Sequence, residues 1–235
     1  MEIKAVVFDV GRTLMEYIDM PNTWLDYYAP ALHHVREVLN LEISDDELEK
    51  SIGIYRSYSP QIKPREKDFT PEEIFSDVTK DWKCEFDLSD VIREFFAYMD
   101  LKPYIYPDTV PVLKKLREDG YIVCTLTDVA TGMPDELHKS YFSELLGYFD
   151  MYVSSITCGY RKPATKGLEI IAEHYNLKPS EMVMIGDEPK DIMTALRFGC
   201  RSVLIDRAGD KPEFGQEFSV SDLNQLYELL EEDLR

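Results

Sequence analysis

The stretch IKAVVFDVGRTLM, residues 3–15, is a compact β-branched run that stops at an aspartate and a glycine. Ile3 to Phe8 has the length and apolar density of a strand buried on both faces, and Asp9 and Gly11 break it into a loop at its carboxyl end. The same signature returns at Tyr121–Leu126, Met151–Ser154, Met182–Ile185 and Ser202–Ile205. Between these runs lie helical patterns. Val110, Leu113 and Leu116 share a face that stops at Gly120; Leu168, Ile171 and Tyr175 form a second, and Ile192, Ala195 and Leu196 a third ending at Gly199. Strand, helix and strand at this rhythm predict right-handed βαβ units, hence an α/β chain with a Rossmann-like parallel sheet covered on both faces. The amphipathic stretch Leu223 to Leu234 is expected to close the chain as a helix.

Residues 16–102 have a different texture. No buried-strand signal occurs there. Thr70-Pro71-Glu72-Glu73 reads as a capping box with proline in the first turn, followed by Ile74, Val78 and Trp82 at four-residue spacing. Leu88, Val91, Ile92, Phe95, Phe96 and Met99 make a wide apolar stripe. Trp24, Tyr28, Leu32, Val35 and Leu39 repeat at helical spacing, with Pro30 expected to kink that helix or lie near its start. The expected organisation is therefore a catalytic core of residues 1–15 and 103–235 interrupted by a mainly helical cap, 16–102. Such a cap would hinge near 15–20 and 102–107, opening to admit substrate and closing to exclude water.

The 235 residues suffice for a substantial core, and 44% apolar with 30% charged residues is ordinary for a globular protein. A net charge of −19 argues against nucleic-acid or anionic-membrane surfaces, since both require a positive field. Cys84, Cys124, Cys158 and Cys200 are far apart and form neither a zinc pattern nor a convincing disulfide framework. With no signal-like leader and no membrane-length apolar run, the expected location is cytoplasmic. An aromatic-rich insert is equally compatible with inward packing and with sharing by a partner.

In an open parallel sheet, ligands bind beyond the carboxyl ends of the strands. Here those ends carry Asp9, Thr127-Asp128, Lys162-Pro163 and Gly186-Asp187, with Asp191 four residues further on. Each is weak evidence alone; together they bring carboxylates, a hydroxyl and a lysine to one edge of one sheet. Two carboxylates about 4 Å apart repel by roughly 4 kcal/mol at an effective dielectric near 20. Asp9, Asp187 and Asp191 therefore need cationic company. Lys162 supplies one charge, and an oxygen-seeking divalent ion such as Mg²⁺ would supply two.

The motifs FDVGRTL, TLTD, RKP and GDEPKD, in this order, resemble those of the haloacid dehalogenase-like superfamily over essentially the whole chain. The resemblance implies a magnesium-dependent hydrolase, most simply a phosphatase acting on a small phosphorylated molecule. Asp9 would attack phosphorus and form an aspartyl-phosphate that water then cleaves. Thr127 would hydrogen-bond a phosphoryl oxygen, and Lys162 would neutralise the phosphate and Asp9. Asp9, the Gly11 carbonyl and Asp187 would bind Mg²⁺, with Asp191 supporting the metal or Lys162. Arg12 and Asp128 are expected on the substrate side.

One departure matters. The family's phosphatases usually carry a second aspartate two residues after the nucleophile, followed by glycine; here those positions are Gly11 and Arg12. The missing carboxylate is the general acid that protonates the leaving group, worth about 10²- to 10⁴-fold. Four readings follow: an acid from elsewhere (Glu16, Asp19 or Asp128); substrates whose leaving groups need none; carbon–halogen or carbon–phosphorus cleavage; or a binding protein without turnover. A metal-free displacement of halide has little use for the carboxylates of GDEPKD. The lysines a Schiff base would need, such as Lys63, Lys67 and Lys80, sit in polar surroundings. Arg12 either grips a second anionic group or pairs at the surface with Glu16. Glu188 could touch a metal-bound water or cap the helix beginning at Pro189. His33-His34, His138 and His174 suggest no mechanism.

Overall fold

A computed structural model describes residues 2–210 and 212–232. Six parallel strands form the main sheet: β1 (Ala5–Phe8), β4 (Ile122–Thr127), β5 (Met151–Ser154), β6 (Met182–Gly186), β7 (Arg201–Ile205) and β8 (Phe218–Val220). Their spatial order is β5-β4-β1-β6-β7-β8. The chain moves outward from β1 through β4 to β5, then returns to the other side of β1 for β6, β7 and β8. That reversal leaves a crevice at the carboxyl end of β1.

β1 is buried along its whole length, and its alternating side chains feed two cores. Val6 and Phe8 meet α5 (Thr109–Glu118) and α10 (Leu223–Glu232) through Leu113, Leu116, Leu226 and Leu230. Ala5 and Val7 face the opposite layer, where α8 (Lys166–Tyr175) and α9 (Pro189–Phe198) contribute Leu168, Ile171 and Ala195. Both faces of the sheet are thus covered, as the continuous apolar runs predict. The predicted final helix is α10; Asp233 and Leu234 lie outside the described residues.

Between β1 and α5 the chain makes a two-stranded antiparallel ribbon, β2 (Met15–Ile18) with β3 (Lys102–Ile105), in which Ile18 faces Lys102. These strands carry no buried-strand signal because they are short and mostly unburied, and β3 holds Pro103 in a two-stranded edge that tolerates it. The ribbon launches α1 (Leu25–Val38), α2 (Asp45–Ser57), α3 (Pro71–Val78) and α4 (Leu88–Met99). Their apolar stripes meet around Leu32, Leu48, Tyr55, Ile74, Phe75 and Phe95. The capping box at Thr70 and Glu73 starts α3, and an unanticipated one at Ser44 and Glu47 starts α2. Pro30 lies inside α1, and α3 stops before Trp82, whose indole N–H donates to Ser51 Oγ at 2.8 Å. The helical insertion also packs on the loop after β4: Val129 and Met133 belong to its core, and the Tyr55 hydroxyl donates to the Thr131 carbonyl. Two short helices complete the chain, α6 (Asp135–Ser140) and the single turn α7 (Ser155–Cys158). No helix among the described residues is long and apolar enough to cross a membrane.

Candidate active site

Register brings the site together. Phe8 pairs with Thr125 on one side and Ile185 on the other, so β1 ends beside the last residues of β4 and β6. Asp9 leaves β1 with its N–H bonded to the Ile185 carbonyl at 2.8 Å, while Thr127 ends β4 and Asp187 follows β6. Lys162 arrives from the loop after α7, four residues ahead of α8. Its backbone N–H donates to Asp128 Oδ1 at 3.0 Å.

The lysine is wholly buried between two carboxylates. Lys162 Nζ lies 2.6 Å from Asp9 Oδ1 and 2.5 Å from Asp191 Oδ1. Burial works to lower its pKa, but Asp191, Asp9 and Asp128 outweigh that and raise it well above the ordinary value. Asp191 has a second engagement: its Oδ2 accepts the Glu188 N–H at the start of α9, at 2.9 Å. Asp191 is therefore committed to Lys162 and to the helix terminus. Gly186 makes room for it, since a Cβ there would come within 2.3 Å of the Asp191 carboxyl.

Asp187 has no such company. Its Oδ2 is buried and accepts no hydrogen bond, with the Arg12 Nε 3.4 Å away as a charge contact. Burial, then the charges of Asp9 and Asp191, push its carboxyl up to about 8. Asp9 is pushed up to about 6, mainly by burial, with Lys162 holding it down and Asp191 adding to the rise. Carboxylate oxygens of Asp9, Asp187 and Asp191 fall within 4.8 Å of one another. An orphaned buried oxygen among three carboxylates is the condition a hard divalent cation relieves, so these residues fit one.

Above this floor lies a cavity of about 450 Å³ shared by the sheet edge and the insertion. Asp9, Gly11, Arg12, Thr127, Asp128 and Asp187 line it below; the insertion contributes Tyr17, Trp24, Tyr28, Ser59 and Gln61. Of the three acids weighed as replacements at Gly11, Glu16 lines the cavity and Asp19 does not. Asp128 lines it too. Burial tends to raise its carboxyl, but Arg161, Lys190 and Lys162 prevail and hold it below the ordinary range. Arg12 is mostly exposed, has φ of 57°, and pairs with Asp187, not with Glu16, which was one of the two roles weighed for it. Glu188 occupies the N-cap of α9 and pairs with Lys190 at 2.6 Å. Lys63, Lys67 and Lys80 are exposed and do not line the cavity.

Sequence reasoning missed three residues. His138 lines the cavity, buried, with Nδ1 3.0 Å from the Tyr152 hydroxyl; burial pushes it down to about 4, so it is neutral. Arg161 and Lys190 flank Asp128 at 3.8 and 3.3 Å. Their signal was adjacency, since each sits inside a motif beside a residue already singled out.

This sheet, with its carboxylate and lysine floor, defines the haloacid dehalogenase-like hydrolases. A profile of that family, "haloacid dehalogenase-like hydrolase", matches residues 3–199, and the chain belongs to it. The relatives the chain matches include a phosphatase and a dehalogenase. A phosphoglycolate phosphatase of Vibrio vulnificus is 23% identical over 215 residues, covering 86% of this chain and 82% of that protein. An (S)-2-haloacid dehalogenase 4A of Burkholderia cepacia is 29% identical over 143 residues, 59% of each chain. The crystal structure of a phosphatase of the same family from Thermococcus onnurineus superposes with a TM-score of 0.63 at 22% identity, covering 97% and 98% of the two chains, which supports the shared fold.

Proposed function

We propose that the chain is a Mg²⁺-dependent phosphatase of small phosphorylated metabolites, working through an aspartyl-phosphate on Asp9, with residues 16–102 as its cap. The observation that carries this reading is the orphaned Asp187 Oδ2 beside Asp9. A hydrolase that displaces halide without a metal has no use for a buried carboxylate oxygen that accepts no hydrogen bond, whereas a phosphatase fills that place with its ion. Asp9, Asp187 and the Gly11 carbonyl would hold Mg²⁺, with Asp191 behind them holding Lys162. Bound there, the ion would offset carboxylate charge and draw negative charge from the phosphoryl oxygens.

The chain's own residues account for the rest. The Asp9 oxygen that Lys162 does not hold attacks phosphorus; the new O–P bond forms as the ester oxygen leaves with the bond electrons. Lys162 and the Thr127 hydroxyl stabilise charge on the transferring group. Water then attacks the aspartyl-phosphate at phosphorus, releasing inorganic phosphate and restoring Asp9. Gly11 offers no proton to the departing alkoxide, and Asp128 is held ionised by its three cations. That leaves Glu16, on the cavity wall, as the acid closest in kind to the missing one. The test is hydrolysis of p-nitrophenyl phosphate, whose leaving group needs little protonation, with and without Mg²⁺. Metal-dependent turnover abolished by Asp9→Asn is expected; turnover surviving in that variant would overturn the reading.

A further inference from the structure

The insertion meets the core in more than its hinge ribbon. Residues 66–68 lie antiparallel to 159–161: Asp68 N–H donates to the Gly159 carbonyl at 2.9 Å and Arg161 N–H to the Glu66 carbonyl at 2.6 Å, with Lys67 opposite Tyr160. This strap lands on the loop that delivers Lys162. It is reinforced by charge. Asp68 and Arg161, both buried, are joined by Arg161 Nη1 to Asp68 Oδ2 at 2.8 Å, and the same Nη1 also donates to the Val129 carbonyl at 2.8 Å. Arg65 holds the other Asp68 oxygen at 2.6 Å. The alternation continues into the site: Arg161 to Asp128 at 3.8 Å, Asp128 to Lys190 at 3.3 Å, Lys190 to Glu188 at 2.6 Å, with the Lys162 N–H on Asp128. Signs alternate without a break from the insertion to the start of α9.

Separating the insertion here would break the buried Asp68–Arg161 pair, leaving Asp68 with Arg65. It would also free Arg161 to draw on Asp128, which holds the Lys162 backbone. The same face carries a third attachment, Tyr55 and Phe75 against Gly132 and Thr131, where a Cβ on Gly132 would come within 3.1 Å of the Phe75 ring and of the Tyr55 hydroxyl.

We propose that Asp68 is a positioning residue for the Lys162 loop, acting through Arg161. This rests on the phosphatase reading for its site.

Asp68→Asn should lower kcat for p-nitrophenyl phosphate by about tenfold to a hundredfold through misplacement of Lys162, with KM little changed. A lowered melting temperature with wild-type kcat would assign Asp68 a merely structural role and overturn the proposal. If the wild type fails to turn over, the phosphatase reading falls by itself, and hydrogen exchange still decides the proposal: the Arg161 and Lys162 amides should exchange faster in Asp68→Asn than in the wild type, and unchanged exchange overturns it.

Discussion

Restoring a carboxylate at position 11 asks the most of the site. Gly11 lines the cavity, its φ is not in the left-handed region, and a Cβ there would have no heavy atom within 4 Å. Gly11→Asp should therefore fold with little strain. The new carboxylate would join a cluster whose members already stand within 4.8 Å of one another. At about 5 Å and an effective dielectric near 20, each ionised neighbour repels it by about 3 kcal/mol. One such repulsion favours its protonated form about a hundredfold relative to a free aspartate. That is the condition for a general acid at neutral pH, and general acids contribute about 10²- to 10⁴-fold. The assay compares kcat for an alkyl phosphate, such as glycerol phosphate, with kcat for p-nitrophenyl phosphate. The alkyl ester should gain about a hundredfold and the nitrophenyl ester almost nothing. If the ratio of the two rates stays unchanged in a variant that melts like the wild type, protonation at this position is not what the chain lacks, and the reasoning fails.

Two further outcomes follow from charge and backbone. In ion-free protein the Asp187 carboxyl keeps its proton to about pH 8 but sheds it near 3.8 when unfolded. Stability should therefore fall as pH rises between those values, by on the order of 6 kcal/mol, and Asp187→Asn should flatten the fall in urea unfolding. Mg²⁺ at about a hundred times its Kd should add about 2.7 kcal/mol to the wild type and much less to that variant; equal gains in both would remove Asp187 from the metal site. Arg12, at φ of 57°, is in a conformation that costs a non-glycine residue about 1 kcal/mol. Arg12→Gly should recover about that much in chemical denaturation while Arg12→Ala does not. Both should raise KM more than they lower kcat if the guanidinium grips substrate; an unchanged KM would remove that role.

The floor of the site was legible because it is local in the chain. Asp9, Thr127 and Asp187 each stand at or just beyond the end of an apolar run, and a parallel sheet must bring such ends together, while Lys162 reaches them from beyond α7. The helical texture of 16–102 was legible from its 3.6-residue stripes, but β2 and β3 were not, because four residues with little burial leave no period to read. Asp68 is the instructive failure. Nothing near it in sequence marks it; it is defined by Arg161, 93 positions away. His138 was passed over for the opposite reason. Its neighbours in sequence are polar, yet Phe142 and Tyr152 close over it in the fold.

The ribbon carries a consequence for how such a chain can diversify. Because Ile18 and Lys102 face each other across one rung, the polypeptide departs and rejoins through a single narrow gate. The strands of the main sheet share no rung with what was built in between, so whole ceilings could be exchanged by descent while the reacting floor remains. The exchange is not free of conditions, however. Any replacement must bring its own anion to meet Arg161, or leave that guanidinium to disturb the machinery beside it.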